Sequence, residues 1–310
     1  MNRPLRLGTR SSLLALRQSE MVAADLRAAH PGLAVEVVHI KTTGDRITDR
    51  PLAEAGGKGL FVKELEIALL EGQIDFAVHS CKDVPVTMPL VDDSDLLLAA
   101  LPKRADVRDV LISSSVQKIT DLPPNARVGT SSLRRRSQLL ALRPDLRIEP
   151  IRGNIDTRLK RQQAGDSDAI VLAMAGLLRS GLHDPARMHA IPVETILPAA
   201  GQGALALQCR RSDTATRLLL AILDHAETRL SIETERRIVR ALNGDCHSPI
   251  AALVDIDRGL IRIRVVVGAK DGGATLVRAE AVTPLAQLES GFARVIQSLT
   301  EQNAQSLLHD

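Results

Sequence analysis

Three stretches of the 310-residue chain combine residue types that could do chemistry. In HSCKDVP, residues 79–85, Lys82 and Asp83 stand side by side in a loop that follows an apolar run and ends at a proline. A Lys and an Asp side by side at a strand's carboxyl end are placed for catalysis; a solvated charge pair is the plain structural alternative. In ALNGDCHSPI, residues 241–250, Cys246 occupies a Gly/Asp/Pro loop after a helix-like run. The carboxyl end of a helix disfavours a thiolate, and only His247 stands near as a relay. Such a thiol fits a single covalent event, or an incidental free cysteine, better than repeated turnover. The third stretch is 127–161, with 9 Arg and 1 Lys against 3 acids; its charge of +7 leaves −4 for the rest of a chain whose total is +3. Of 40 basic residues 32 are arginine, whose planar fork grips carboxylate or phosphate in a bidentate way. An anionic ligand is one reading and a salt-bridged, solvated surface is the other.

Other chemistries are poorly served. His79 with Cys81, and Cys246 with His247, have no third ligand nearby in sequence, so no metal site is expected. The glycines of EAGGKGLF, residues 54–61, lack phosphate-loop spacing and read better as a flexible lid from which Lys58 reaches an anion. With no Trp, no Tyr and only 3 Phe, the chain has almost no surface for stacking bases, and nucleic acid is not expected as a partner. Three scattered cysteines make no disulfide framework. The start MNRPLRLGTR is too polar for a signal peptide and no apolar run reaches the roughly 18 residues of a membrane span, so a cytoplasmic protein without membrane partners is expected.

These side chains need elements to position them, and the sequence repeats one arrangement. Residues 5–41 read as strand, Gly-Thr-Arg-Ser-Ser turn, helix and strand; residues 126–152, ARVGTSSLRRRSQLLALRPDLRIEPIR, repeat the plan with a Gly-Thr-Ser-Ser turn. A helix and a buried strand follow each copy (KGLFVKELEIALLEG then IDFAVHS; NIDTRLKRQQAG then AIVLAMA), which predicts two α/β domains. Ser11, Ser12, Ser131 and Ser132 are suited to cap helix N-termini, where free amides and the dipole favour anions, and Arg10 and Arg134 to Arg136 lie on or beside the same turns. In open α/β sheets ligands bind beyond the strands' carboxyl ends, so the turns predict an anionic cleft. Residues 101–105 and 191–198 read as connectors. From about residue 221 a helical run to Leu242 leads to strands broken by DRG and KDGG turns, an antiparallel three-stranded sheet, and a last helix.

Taken together, LRLGTRSSLLAL, GGKGLFVKELE, DFAVHSCKDVP, RVGTSSLRRRSQLL, IRGNIDTRL, AGLLRSGL, LPAAGQGALALQCR and LNGDCHSPIAAL resemble, in order and spacing, the hydroxymethylbilane synthase (porphobilinogen deaminase) family over nearly the whole chain. The resemblance implies a transferase of tetrapyrrole (haem-type) biosynthesis. It would condense four porphobilinogen molecules, with loss of ammonia, onto a dipyrromethane cofactor held by a thioether to Cys246, and release hydroxymethylbilane by hydrolysis. It assigns Asp83 as the catalytic carboxylate. It gives Lys82, Asp83, Ser132, Arg134 and Arg135 to the cofactor, Arg10, Ser12, Arg152, Arg158 and Arg179 to substrate, and Lys58 and Phe61 to a lid. A six-ring chain carries about twelve carboxylates, which accounts for a surplus of arginine. Asp245, at a position often glycine, Cys81, often methionine, and ALALQCR depart from the commonest pattern.

The resemblance also implies the fold: two α/β domains of the type II periplasmic-binding-protein kind plus a small C-terminal α/β domain. The first domain is expected over 1–100 and 196–219, the second over 101–195, and the cofactor-anchoring domain over 220–310. A monomer acting on a small-molecule substrate is expected. An anion-binding receptor of the same two-lobed fold would share the paired turns and arginines but would need neither Asp83 nor a modified Cys246.

Overall fold

Alternation of β-branched runs with amphipathic segments builds both α/β parts of the chain. The computed structural model describes residues 3–43, 59, 62–87, 91, 95–245 and 247–308. These fall into two compact units, one of Met1–Ala105 with Ala204–Arg229 and one of Asp106–Gly203 with Leu230–Asp310.

In the first unit the strands are β1 (Leu5–Thr9), β2 (Val35–His39), β3 (Phe76–Ser80), β4 (Leu96–Ala100) and, much later, β10 (Leu205–Arg210). They form one sheet in the order β2-β1-β3-β10-β4, with β10 antiparallel between β3 and β4. Helix α1 (Leu13–Ala29) packs Val22, Ala23 and Leu26 with Leu5, Leu7, Phe76 and Val78, whereas α2 (Lys63–Leu70) sets Leu65, Ala68 and Leu69 against Ile74 and Ala77. The core is almost wholly aliphatic, as the shortage of aromatic residues requires.

The second unit repeats this plan with strands β5 (Asp109–Ile112), β6 (Arg127–Gly129), β7 (Arg147–Glu149), β8 (Ala169–Ala173) and β9 (Met188–Ala190) in the order β7-β6-β8-β5-β9. Its helices are α3 (Leu133–Leu142), α4 (Ile155–Gln163) and α5 (Met174–Arg179). The same unit carries an antiparallel sheet of β11 (Ile250–Asp257), β12 (Leu260–Gly268) and β13 (Leu276–Pro284), packed by α8 (Leu288–Glu301). The helical run predicted from about 221 to Leu242 is α7 (Ala226–Ala241), and a separate helix, α6 (Thr214–Ala221), precedes it. The fold class is the expected one: two α/β units with mixed sheets and a three-stranded antiparallel sheet.

The glycine shared by the two Gly-Thr turns has one physical reason in both places. A Cβ on Gly8 would lie 2.2 Å from Ile74 Cδ1, and one on Gly129 would lie 2.9 Å from Ile170 Cγ2. Each glycine lets a neighbouring isoleucine close over the strand just before the turn.

Candidate functional site

Parallel pairing of β1 with β3 brings two of the predicted stretches to one sheet edge. Leu7 pairs with Phe76 and Gly8 with Ala77, so the turn holding Arg10 and Ser12 and the turn holding Lys82 and Asp83 leave the carboxyl ends of adjacent strands. Ser12 is the N-cap of α1, its hydroxyl accepting from Ala15 N at 3.3 Å. Lys82 and Asp83 lie in a single 3₁₀ turn, Cys81–Asp83, closed by Val84 N donating to Cys81 O. Asp83 is exposed, Lys82 and Arg10 are half-buried, and Cys81 is buried beneath them.

Beneath this turn lies a polar group of which sequence patterns singled out His79 alone, as a metal ligand without a third partner. His79, buried on β3, has Nε2 3.0 Å from Gln208 Oε1, and Gln208 Nε2 donates to Glu66 Oε1 at 2.8 Å. Burial, with the charge of Arg10 nearby, lowers the His79 pKa to about 4 against the opposing effect of its hydrogen bond to Gln208, so the ring is neutral at pH 7.

The second unit has a comparable edge of its own. Ser132 caps α3, accepting from Arg135 N at 3.5 Å, and Ser131 Oγ donates to Ile151 O at 2.8 Å. Arg152 follows β7, Arg158 lies on α4 with Nε donating to Gly153 O at 2.7 Å, and Arg179 ends α5, the helix that follows β8. Because β7, β6 and β8 are parallel neighbours, these elements all leave the sheet at one edge.

Arg134 and Arg135 are placed differently from an open arginine surface. Both are buried, and both bind one carboxylate: Arg134 Nη1 donates to Asp109 Oδ2 at 2.9 Å and Arg135 Nη2 to Asp109 Oδ1 at 2.8 Å. Gln202 Nε2 adds a third donor to Asp109 Oδ1 at 2.9 Å. Burial opposes ionisation of Asp109, but the two guanidinium charges outweigh it and hold its pKa well below the usual carboxylate range. Two cations on one anion leave this cluster a net positive charge. Arg136, the third of the run, turns instead to the C-terminal sheet, where Nε donates to Gly272 O at 3.1 Å.

Burial lowers the Arg179 pKa to about 10; its Nη2 donates to Gly203 O at 2.7 Å while its buried Nε has no hydrogen-bond partner. The Nε of Arg135 is likewise buried and unpartnered. Desolvated guanidinium N–H groups of this kind fit the carboxylates of a ligand such as dipyrromethane, each ring of which bears acetate and propionate.

Cys246, Lys58 and Phe61 lie outside the described residues. The residues flanking Cys246 are braced: Asp245 Oδ1 accepts from His247 N at 2.9 Å, Ser248 N at 3.0 Å and Ser248 Oγ at 3.0 Å, and Asp245 N donates back to Ser248 Oγ at 2.9 Å. An aspartate three residues before a serine is a readable signal for such a turn. Among the described residues, no group of three His, Cys, Asp or Glu side chains could hold a metal ion, and no helix is long and apolar enough to cross a membrane.

The chain is similar to several known proteins. Among solved structures, the methionine binding protein MetQ is 14% identical over 77% of this chain and 95% of that one, with a TM-score of 0.44. A substrate-binding domain of a molybdenum ABC transporter from Clostridium difficile is 13% identical over 73% of this chain and 94% of that one, with a TM-score of 0.46. A YaeC-family lipoprotein from Enterococcus faecalis is 15% identical over 76% and 97%, with a TM-score of 0.42. Two family models match the sequence itself. Residues 5–218 match the dipyrromethane cofactor binding domain of porphobilinogen deaminase and residues 229–290 match its C-terminal domain, so the chain belongs to the porphobilinogen deaminase family.

Proposed function

We propose that this chain performs the family's reaction with Asp83 as the carboxylate at the reacting centre and Cys246 as the covalent anchor of the cofactor. The activity is that of a hydroxymethylbilane synthase, a transferase of tetrapyrrole biosynthesis that condenses four porphobilinogen molecules into the linear hydroxymethylbilane with release of ammonia. Bound dipyrromethane supplies the pyrrole carbon to which the first new unit is joined.

The observation that carries the assignment is the adjacency of the Arg10–Ser12 and Lys82–Asp83 turns at one sheet edge. There the exposed Asp83 carboxylate accepts pyrrole N–H groups and offsets the positive charge that develops as ammonia departs. Arg10, Ser12, Arg152, Arg158 and Arg179 bind the carboxylates of substrate. Lys82, Ser132, Arg134 and Arg135 hold the cofactor, and the unpartnered Arg135 Nε is a donor available to it. Arg134 and Arg135 enter this reading as a pair fixed on Asp109. Asp245 and Ser248 hold the loop on either side of Cys246, and Lys58 and Phe61 belong to a lid. The three-domain division into 1–100 with 196–219, 101–195 and 220–310 belongs to the same reading, as do a monomeric state, a cytoplasmic location and no nucleic-acid partner.

Asp83→Asn tests the assignment, since it keeps the shape and removes the charge. Turnover is expected to fall about 100-fold or more, the scale of losing one preorganised electrostatic contact in a transition state, while the folded protein still shows a mass increment from its adduct. Near-normal turnover and ammonia release would remove Asp83 from the mechanism.

A further inference from the structure

The carboxyl end of β3 is held from both faces of its sheet. On one face Ser80 Oγ accepts from Gln18 Nε2 at 2.9 Å. On the other lies the chain His79–Gln208–Glu66, which joins β3, β10 and α2 through side chains no more than 5% exposed. Ala206 pairs with His79 and Gln208 with Ala77, so His79 and Gln208 are diagonal neighbours on the same face of the sheet.

The chain has a fixed direction. Gln208 Nε2 donates to Glu66 Oε1, so the amide turns its NH₂ group towards Glu66 and its carbonyl oxygen towards His79. His79 must then carry its proton on Nε2 and leave Nδ1 bare. The second oxygen of Glu66 accepts from Val91 N at 3.2 Å. Around these groups the sheet packs on aliphatic side chains such as Leu65, Leu69 and Ile74. Apolar residues of similar volume would fill the same space without the desolvation cost of three polar groups, so packing does not explain their presence. What the chain adds is direction. It fixes the strand at the residue that lies four positions before Asp83, and Cys81 N, donating to Ala204 O at 3.0 Å, fixes the start of the turn itself.

We propose that His79, Gln208 and Glu66 are positioning residues for the Lys82–Asp83 turn: a buried, directional hydrogen-bond chain that sets where the turn leaves the sheet. None of the three touches substrate. The inference rests on the assignment of Asp83 as the reacting carboxylate. A displacement of about 1 Å at a reacting group costs up to roughly a hundredfold in rate, so small errors in this register should reach turnover.

The test uses the cofactor-bearing enzyme with His79→Leu, His79→Gln and Gln208→Leu, measuring kcat, KM, thermal midpoint and adduct mass, with Asp83→Asn alongside. His79→Leu and Gln208→Leu break the chain; His79→Gln still offers an N–H to Gln208. The expected result is a kcat lowered roughly tenfold or more in both leucine variants, with KM within about twofold, the adduct in place and the assay run well below each midpoint. His79→Gln should recover most of the lost kcat. Two results overturn the proposal: leucine variants that lose thermal stability but keep kcat, or His79→Gln impaired as severely as His79→Leu. Should His79→Leu not fold, Gln208→Leu decides by the same criteria. Asp83→Asn separates the layers. Normal turnover there sinks the reading of Asp83, whereas its collapse beside unaltered kcat in the leucine variants sinks the positioning chain alone.

Discussion

Asp109→Asn removes one charge from a cluster whose geometry sets the size of the effect. The carboxylate is wholly buried and receives three donors, Arg134 at 2.9 Å, Arg135 at 2.8 Å and Gln202 at 2.9 Å. Asparagine keeps the volume and one acceptor oxygen, but its amide N–H groups then face a guanidinium, and two buried cations are left with no anion. Removing one partner of a buried ion pair costs about 3–5 kcal/mol, because the remaining charge stays desolvated. The matching exposed pair, Arg161 with Asp166, is 44% accessible on both sides, and Asp166→Asn should cost less than about 1 kcal/mol. Urea unfolding followed by circular dichroism gives both numbers. A Cys246→Ser background, expected to carry no adduct, keeps loss of cofactor from contributing. The folded-state pKa of Asp109 is depressed, so its stabilisation is complete above the ordinary carboxylate range near pH 4 and declines as pH falls below it. The gap between parent and variant should therefore be constant from pH 7 to about 4 and shrink by about 1.4 kcal/mol per unit below that. A cost under about 1 kcal/mol at pH 7, or a gap indifferent to acid, would refute the account of Asp109 as the anion that holds Arg134 and Arg135.

The intact mass of the denatured protein should exceed that of the chain by one dipyrromethane, and Cys246→Ser should abolish the increment; an adduct that survives the substitution places the anchor elsewhere. Arg10→Ala and Arg158→Ala should each weaken substrate binding roughly tenfold to a hundredfold, the loss of about 1.5–3 kcal/mol expected for a charged hydrogen bond, whereas Arg161→Ala should be close to neutral in steady-state assays. Equal losses in all three would indicate general destabilisation. His79 has a folded-state pKa of about 4 against an ordinary 6.5, so protons favour the unfolded chain between these values. Stability should fall by about 1.4 kcal/mol per pH unit from 6.5 to 4 on this account, and His79→Gln should remove that part of the slope in acid-titrated unfolding curves.

Local chemistry made several of these features readable. The Gly-Thr-Arg-Ser-Ser and Gly-Thr-Ser-Ser turns announced strand, cap and helix in the right places, because Ser12 and Ser132 satisfy N–H groups within their own first turns. Lys82 and Asp83 were legible for the same reason: a buried run followed by a proline-ended loop is a short-range signal. The partners of Arg134 and Arg135 were not. Asp109 stands 25 residues before Arg134 in sequence and reaches it only when β5 lies beside β8. The arginine run read as donors for an anionic ligand or as a solvated surface, and neither reading showed that two of its members are buried on one carboxylate of the chain itself. Gln208 was hidden likewise, since nothing around it in ALALQCR marks the histidine that meets it 129 residues away.

The place of β10 has a consequence for synthesis. Leu205–Arg210 lies inside the first sheet, between β3 and β4, whereas every strand of the second five-stranded sheet falls between Asp109 and Ala190. On the ribosome the second sheet can close while the first still lacks an inner strand, so the segment that emerges earlier should mature later. Until β10 arrives, β3 and β4 have open edges, and His79 must remain in water or without its glutamine. Pulse-proteolysis of stalled nascent chains should show protection of 106–203 before 5–100. Chains that end short of residue 205 should expose a strand edge of the kind that chaperones and proteases recognise.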